Sequence, residues 1–173
     1  LINGASGGVG TFAVQIARSL GAEVTAVCST RNVETARSIG ADHVIDYTRE
    51  DFTRGNRRYD VIIDVAGSHS LMDYRRGVPP DGILVIVGTI SRDPWVGPFS
   101  GALEAMVLSP FVSQQAGLMM ARLKQADLRL LADLMKSGKL KAVIDRRYDW
   151  REIPAAIRYL EEGHARGKVV VTF

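Results

Sequence analysis

A single cysteine, Cys28, in 173 residues excludes an internal disulfide framework. It lies in the apolar run Glu23 to Cys28, which makes it a small core residue before a reactive thiol. A reducing interior is compatible with that usage, and the cytoplasm is the expected location. No apolar run approaches the roughly 20 residues that cross a bilayer. Ala102 to Ala121 comes nearest, but Glu104, Pro110, Gln114 and Gln115 interrupt it, and no signal peptide opens the chain, so no membrane partner is expected. There is no basic tract either. Lysine plus arginine number 22 against 19 aspartate plus glutamate, a net charge of +3, and Arg57-Arg58, Arg75-Arg76 and Arg146-Arg147 are scattered pairs. Nucleic acid is therefore not indicated. His43, His69 and His164 stand alone and form no metal-ligand spacing with Cys28, so no metal is expected. None of Tyr47, Tyr59, Tyr74, Tyr148 and Tyr159 has lysine four places on, which removes the tyrosine-lysine route to an activated carbonyl. Gly163 to Lys168 superficially suggests a triphosphate loop, yet only three residues separate its glycines and Val169 stands where Ser or Thr should hold magnesium.

What the chain does contain begins at once. Gly4-Ala5-Ser6-Gly7-Gly8-Val9-Gly10 separates a short apolar stretch, Leu1-Ile2, from an amphipathic run, the order strand, glycine turn, helix. Val9, Phe12, Ala13, Ile16, Ala17 and Leu20 recur at three- and four-residue steps, and Gly21 stops the run. Against the pattern Gly-x-Gly-x-x-Gly, the matching positions are Ala5, Gly7 and Gly10, with Gly8 as an extra small residue. Positions without a side chain let the backbone approach a pyrophosphate, while the helix aims its free N–H groups and positive dipole end at it. An ordinary glycine-rich turn is the alternative; the strand before and the helix after favour a dinucleotide, held at Ser6, Gly7, Gly8 and Val9.

An Asp or Glu about 20 residues past the glycines would accept hydrogen bonds from the adenosine ribose. None is there. Ser29-Thr30-Arg31 offers two hydroxyls and a guanidinium instead, a set suited to a 2′-phosphate that a carboxylate would repel. The expected cofactor is NADP(H) over NAD(H). The same residues also open a helix from about Val33 to Ile39, with Thr30 or Asn32 as its cap.

With 46% apolar residues the chain suffices for a sizeable core and reads as one domain. Val44 to Asp46, Asp60 to Val65 and Gly82 to Gly88 read as further strands, apolar on both faces, as in a parallel sheet covered by helices. The expected class is α/β: a doubly wound, mostly parallel six-stranded Rossmann sheet with helices on both faces, and a return segment at about 143 to 173. Its ligand crevice lies at the carboxyl ends of the strands. Leu128, Leu131, Leu134 and Met135 mark a helix ended by Gly138. Ile153, Ala156, Ile157 and Leu160 mark another with Pro154 in its first turn, and strands follow at Val143-Ile144 and Val169 to Val171.

Several stretches together resemble the nucleotide-binding half of the medium-chain dehydrogenase/reductase superfamily, zinc-independent quinone oxidoreductase type. They are Gly4 to Thr11, Ile39 to Tyr47 (Ile-Gly-Ala-Asp-His-Val-Ile-Asp-Tyr), Tyr59 to Gly67, Val143 to Tyr148 and Gly163 to Val170. The last, Gly-His-Ala-Arg-Gly-Lys-Val-Val, is similar to the ending of reticulon-interacting oxidoreductases. The resemblance implies a GroES-like domain before Leu1 that supplies much of the substrate pocket. It also implies Ser29 and Arg31 at the 2′-phosphate, Tyr47 beside it, Val65, Ala66, Val87 and Gly88 on the nicotinamide side, and Lys168 near the cofactor. Arg31 stands two places later than the family's usual basic residue. The implied reaction is hydride transfer from NADPH to a quinone or conjugated carbonyl, with no catalytic residue assigned. Tyr47 reads equally as a half-buried aromatic at a strand end, and Asp64 as a hydrogen-bonding carboxylate at the crevice. The resemblance further implies a homodimer through a sheet edge at Val112 to Ala121, with burial against the preceding domain as the alternative. A cofactor-binding module without turnover and an NAD-linked zinc alcohol dehydrogenase are the competing readings.

Overall fold

A computed structural model describes residues 1–87, 115–118 (backbone) and 124–173. Alternating apolar segments form β1 (Ile2–Asn3), α1 (Gly10–Ser19), β2 (Thr25–Cys28), α2 (Val33–Ser38), β3 (His43–Asp46), β4 (Val61–Asp64), α3 (Leu71–Gly77), β5 (Ile83–Ile86) and β6 (Gln115–Leu118). The strands make one sheet in the order β3-β2-β1-β4-β5-β6, every pair parallel. The chain winds outward from β1 to β3, then returns past β1 to build β4 to β6. That reversal leaves a crevice between the carboxyl ends of β1 and β4, where such sheets bind ligands. The expected doubly wound sheet is the observed one.

Because successive strand residues point to opposite faces, each strand serves two cores. Ala26 and Cys28 pack with Ile2, Ala5, Val14 and Ala36 against α1 and α2. Val27 faces the other way, with Ile62, Leu84, Ile86, Phe52, Leu71 and Tyr74, against α3. Alanines and a glycine where α1 starts let that helix sit close to the sheet.

The second half supplies α4 (Gln125–Lys136), β7 (Ile144–Asp149), α5 (Ile153–Glu161) and β8 (Lys168–Thr172). β7 and β8 pair parallel to each other as a separate two-stranded sheet. β7 runs farther than the Val143-Ile144 stretch suggested, since Asp145, Arg146, Arg147 and Asp149 end the apolar run while the strand continues. Gly138 leaves α4 with φ 73°, and Pro154 sits in the first turn of α5, both as expected. The buried Gln15 side chain fastens this half to α1: its amide nitrogen donates to Lys141 O and to Thr11 O at 2.9 Å each, and its oxygen accepts from Lys141 N at 2.8 Å. Among the described residues no helix is long and apolar enough to cross a membrane.

Candidate functional site

Three loops meet at the carboxyl ends of β1, β2 and β4. Gly4 leaves β1 with φ 81°, a conformation that suits glycine, and a Cβ on it would lie 3.2 Å from Ala66 N. Ala5 N donates to Val27 O and Val65 N to Asn3 O, so the turn is pinned to both neighbouring strands. Gly7 N folds back onto Gly4 O at 3.2 Å, and Thr11 N reaches Gly7 O at 3.0 Å. The amides of Ser6, Gly8 and Val9 donate to no acceptor among the described residues. The ten-residue α1 starts without a side-chain cap and without an acid in its first turn. An open N-terminus of this kind favours an anion.

The glycines divide the work. A Cβ on Gly10 would overlap Gly4 O and come within 2.7 Å of Ala5 Cα, so Gly10 serves helix-to-strand packing. A Cβ on Gly7 would meet nothing nearer than Gly4 O at 3.6 Å, so its bareness serves whatever lies outside. At Gly8 a Cβ would sit 3.3 Å from Gly167 O and 3.4 Å from Lys168 Nζ. The ammonium of Lys168 therefore lies against the glycine turn, 5.4 Å from the centre of the Phe12 ring. Lys168, far away in the chain, and Ser6 to Val9 are brought together.

Lys168 is held there by the return segment. Gly167, at φ 121°, lies where any side chain would overlap Val143 O, and Lys168 N donates to that same carbonyl at 2.7 Å. Asp145 Oδ2 accepts from Tyr159 Oη at 2.5 Å and from Arg166 N at 2.8 Å, and the Arg146 guanidinium stacks 3.8 Å over the Tyr159 ring. Burial alone would raise the Asp145 carboxyl, yet the Arg166 amide and Tyr159 hydroxyl bring it below the usual carboxylate range.

At the end of β2 the expected donors separate. Buried Asn32 gives its side-chain amide to Ser6 Oγ and Ser29 Oγ at 3.1 Å each. Asn32 stands at the N-cap position of α2, one of the two residues the sequence suggested, but its side chain makes no capping bond there; it ties the glycine turn to the β2 end. A hydroxyl that accepts still has its own proton to give, so Ser6 and Ser29 remain donors. Thr30 differs. Its hydroxyl donates to Asp46 Oδ2 at 2.5 Å, which takes it out of the donor set read from Ser29-Thr30-Arg31. Arg31 is exposed and makes no hydrogen bond or ion pair among the described residues. Tyr47 is 60% exposed at the end of β3, not half-buried.

On the far side of the crevice Val65 is half-buried and Ala66 exposed. Asp64 holds their loop: its Oδ1 accepts from Asn3 Nδ2 at 2.9 Å and from the Ala66 and Gly67 amides at 3.1 Å each. It is fully buried, the hydrogen-bonding carboxylate expected. Beneath it, burial and then the neighbouring Asp64 charge push the Tyr74 phenol up. Val87 N donates to Asp64 O at 2.8 Å, which places Val87 at the same edge. Gly88 lies outside the described residues, as does the expected dimer edge Val112 to Ala121 apart from β6. Elsewhere, two of the three arginine pairs that look scattered in sequence meet: Arg58 donates to Arg76 O at 3.0 Å, and both line a surface pocket of about 640 Å³ with Arg54.

Sequence reading missed Asn3, Asn32, Asp46 and Gly167. A polar Asn3 at the end of an apolar strand was one available signal; Asn32 and Asp46 also act through the distant Ser6 and Thr30, and Gly167 through Val143.

Known proteins share this sequence and this fold. A family model described as zinc-binding dehydrogenase matches residues 39–171. The chain is 34% identical over 201 residues to the mitochondrial NAD(P)H oxidoreductase RTN4IP1 of Mus musculus, covering 99% of this chain and 47% of that protein. It is 32% identical to the chloroplastic quinone-oxidoreductase QR1 of Triphysaria versicolor, with 99% and 51% covered. The quinone oxidoreductase structure from Coxiella burnetii superposes with a TM-score of 0.85 at 27% identity, again covering 99% of this chain and 51% of the other. The chain thus spans about half the length of these relatives. It belongs to the zinc-binding dehydrogenase family and matches about half of medium-chain dehydrogenases/reductases, quinone oxidoreductases among them.

Proposed function

We propose that the chain binds NADPH as the cofactor domain of an oxidoreductase that reduces a quinone or an activated alkene or carbonyl. The reading is carried by the glycine turn: amides of Ser6, Gly8 and Val9 with no partner among the described residues, beside a lysine ammonium delivered from β8. Such a cradle fits a diphosphate, whose charge needs backbone donors, a dipole end and a cation within reach. Ser29 and Arg31 supply a hydroxyl proton and a guanidinium for a 2′-phosphate. Tyr47 lies at the outer rim of that pocket, while Val65, Ala66 and Val87 border the nicotinamide side. When bound, the cofactor supplies the hydride, and with one proton from solvent a quinone becomes a hydroquinone. The chain's residues bind and orient; they need supply no acid or base for the hydride itself. The relatives bear the names NAD(P)H oxidoreductase and quinone-oxidoreductase, which supports the reaction class.

The test is titration of the chain with NADPH and NADH, followed by quinone-dependent NADPH oxidation by the full-length protein. Gly7→Val is expected to weaken binding of both coenzymes at least about a hundredfold, since a side chain there occupies the diphosphate's approach. Its melting temperature should stay close to wild type, because the added Cβ comes no nearer than ordinary van der Waals contact with Gly4 O. Unchanged affinity in that variant would remove the glycine turn from the site. Cofactor binding without turnover in the full-length protein would leave a binding module in place of an enzyme.

A further inference from the structure

We infer that Asp46 is a specificity-determining residue of the coenzyme pocket: its carboxylate, brought across from β3, disfavours a 2′-phosphate and keeps the pocket open to NADH as well as NADPH. This rests on the coenzyme reading above.

The end of β2 carries no acid in sequence, yet the fold supplies one. Cys28 and Asp46 are register partners on adjacent parallel strands, which lie about 4.8 Å apart. Asp46 therefore ends β3 beside the end of β2, and its carboxylate reaches Thr30, within the Ser29-Thr30-Arg31 segment that stands where an acid would contact the ribose. It is fixed in place. Oδ2 accepts from Thr30 Oγ1 at 2.5 Å, and Oδ1 accepts from Thr48 N at 3.0 Å and Thr48 Oγ1 at 2.7 Å. The Thr30 hydroxyl, foremost among these, holds the carboxyl below its usual range, so it is ionised at neutral pH.

Two consequences follow for a 2′-phosphate. Thr30 is one donor fewer, because its proton is directed at Asp46. A fixed negative charge also faces a group that itself carries about −1.5 to −2. The cation next to Asp46, Arg49, lies 3.5 Å away with its side chain 75% exposed, so solvent screens its compensation. Arg31 and the Ser29 hydroxyl pull the other way. A 2′-hydroxyl feels none of the repulsion. The balance is a pocket that takes both coenzymes with a modest preference, where Ser29-Thr30-Arg31 alone would select strongly for the phosphate.

Asp46→Asn keeps an oxygen for Thr30 and removes the charge. The ratio of the NADH to the NADPH dissociation constant should rise about three- to tenfold, mainly through tighter NADPH, as expected for one charge acting on another at a partly screened site. The same shift should appear between 5′-AMP and 2′,5′-ADP, which differ only in the phosphate at issue. Asp46→Ser provides a second neutral variant should the first fail to fold. A ratio that stays within twofold of wild type, or that moves toward NADH, overturns the assignment even where both affinities fall together. Wild-type chain that binds neither coenzyme nor 2′,5′-ADP would instead overturn the coenzyme reading itself.

Discussion

Three glycines of one turn carry three different constraints. Gly4 needs its positive φ, Gly10 needs contact with the strand, and Gly7 needs an open outer side. Only the last concerns a ligand directly. Gly10→Ala is therefore expected to act on stability: the added methyl overlaps Gly4 O, and overpacking of this kind costs about 1–3 kcal/mol or more. In a domain of this size that is a loss of at least about 2–4 °C in melting temperature. Thermal unfolding without coenzyme measures it, and an unchanged midpoint would show that α1 can slide on the sheet. Polar residues divide similarly. Ser29 and Thr30 are neighbours with the same functional group, yet one accepts from Asn32 and keeps its proton while the other gives its proton to Asp46. Nothing in their residue type distinguishes them: Ser29 takes its partner from Asn32, three residues on, and Thr30 from Asp46 on β3.

At the scale of elements, α1 is the hinge between the two halves. Its outer end faces the crevice, and its buried Gln15 grips the backbone of Lys141 from both sides. Gln15→Leu keeps the volume but removes both hydrogen bonds to the backbone of Lys141, an exposed residue whose N–H and C=O can turn to water. At about 0.5–1.5 kcal/mol net for each bond, a loss of about 1–3 kcal/mol is expected by urea unfolding. Because residues 140 to 143 lead into β7 and receive Lys168 N through Val143 O, the variant should also weaken NADPH binding. A loss of stability with coenzyme affinity intact would mean that Lys168 keeps its place without that anchor. Apolar periodicity marks most strands and helices, within about two residues at most ends, but not α3, a short helix that follows a serine cap. β7 is marked only at its start: Asp145, Arg146, Arg147 and Asp149 are polar, and its identity as a strand comes from pairing with β8.

For the whole molecule, acid sensitivity follows from carboxylates that the folded chain stabilises as anions. Asp46 is held low foremost by the Thr30 hydroxyl and Asp73 foremost by the Ser70 hydroxyl of its capping box. In Asp145 the opposing effect of burial is outweighed by the Arg166 amide and Tyr159. A folded pKa below the unfolded value of about 4 contributes stability that is complete above that value and lost as pH falls through the folded one. The urea midpoint should therefore be level from pH 7 to 5 and decline between about pH 4 and 2. Asp145→Asn should lower the neutral plateau and make the decline shallower. A midpoint constant down to pH 3 would contradict this account.

Local order was decided along the chain itself. Apolar runs, glycine stops and the strand-turn-helix order at Gly4 to Gly10 determined a doubly wound sheet, its crevice and the expectation of a nucleotide at the first turn, since periodicity and backbone freedom depend on near neighbours. Tertiary structure alone decided which groups are free to meet that nucleotide. It set Lys168 from β8 against Gly8, directed Asn32 onto two serines, and carried the Asp46 carboxylate to the end of a strand that has no acid of its own. Hydrogen bonds and charges act between atoms a few ångströms apart, and for these residues that proximity is created by strand register and by the return segment.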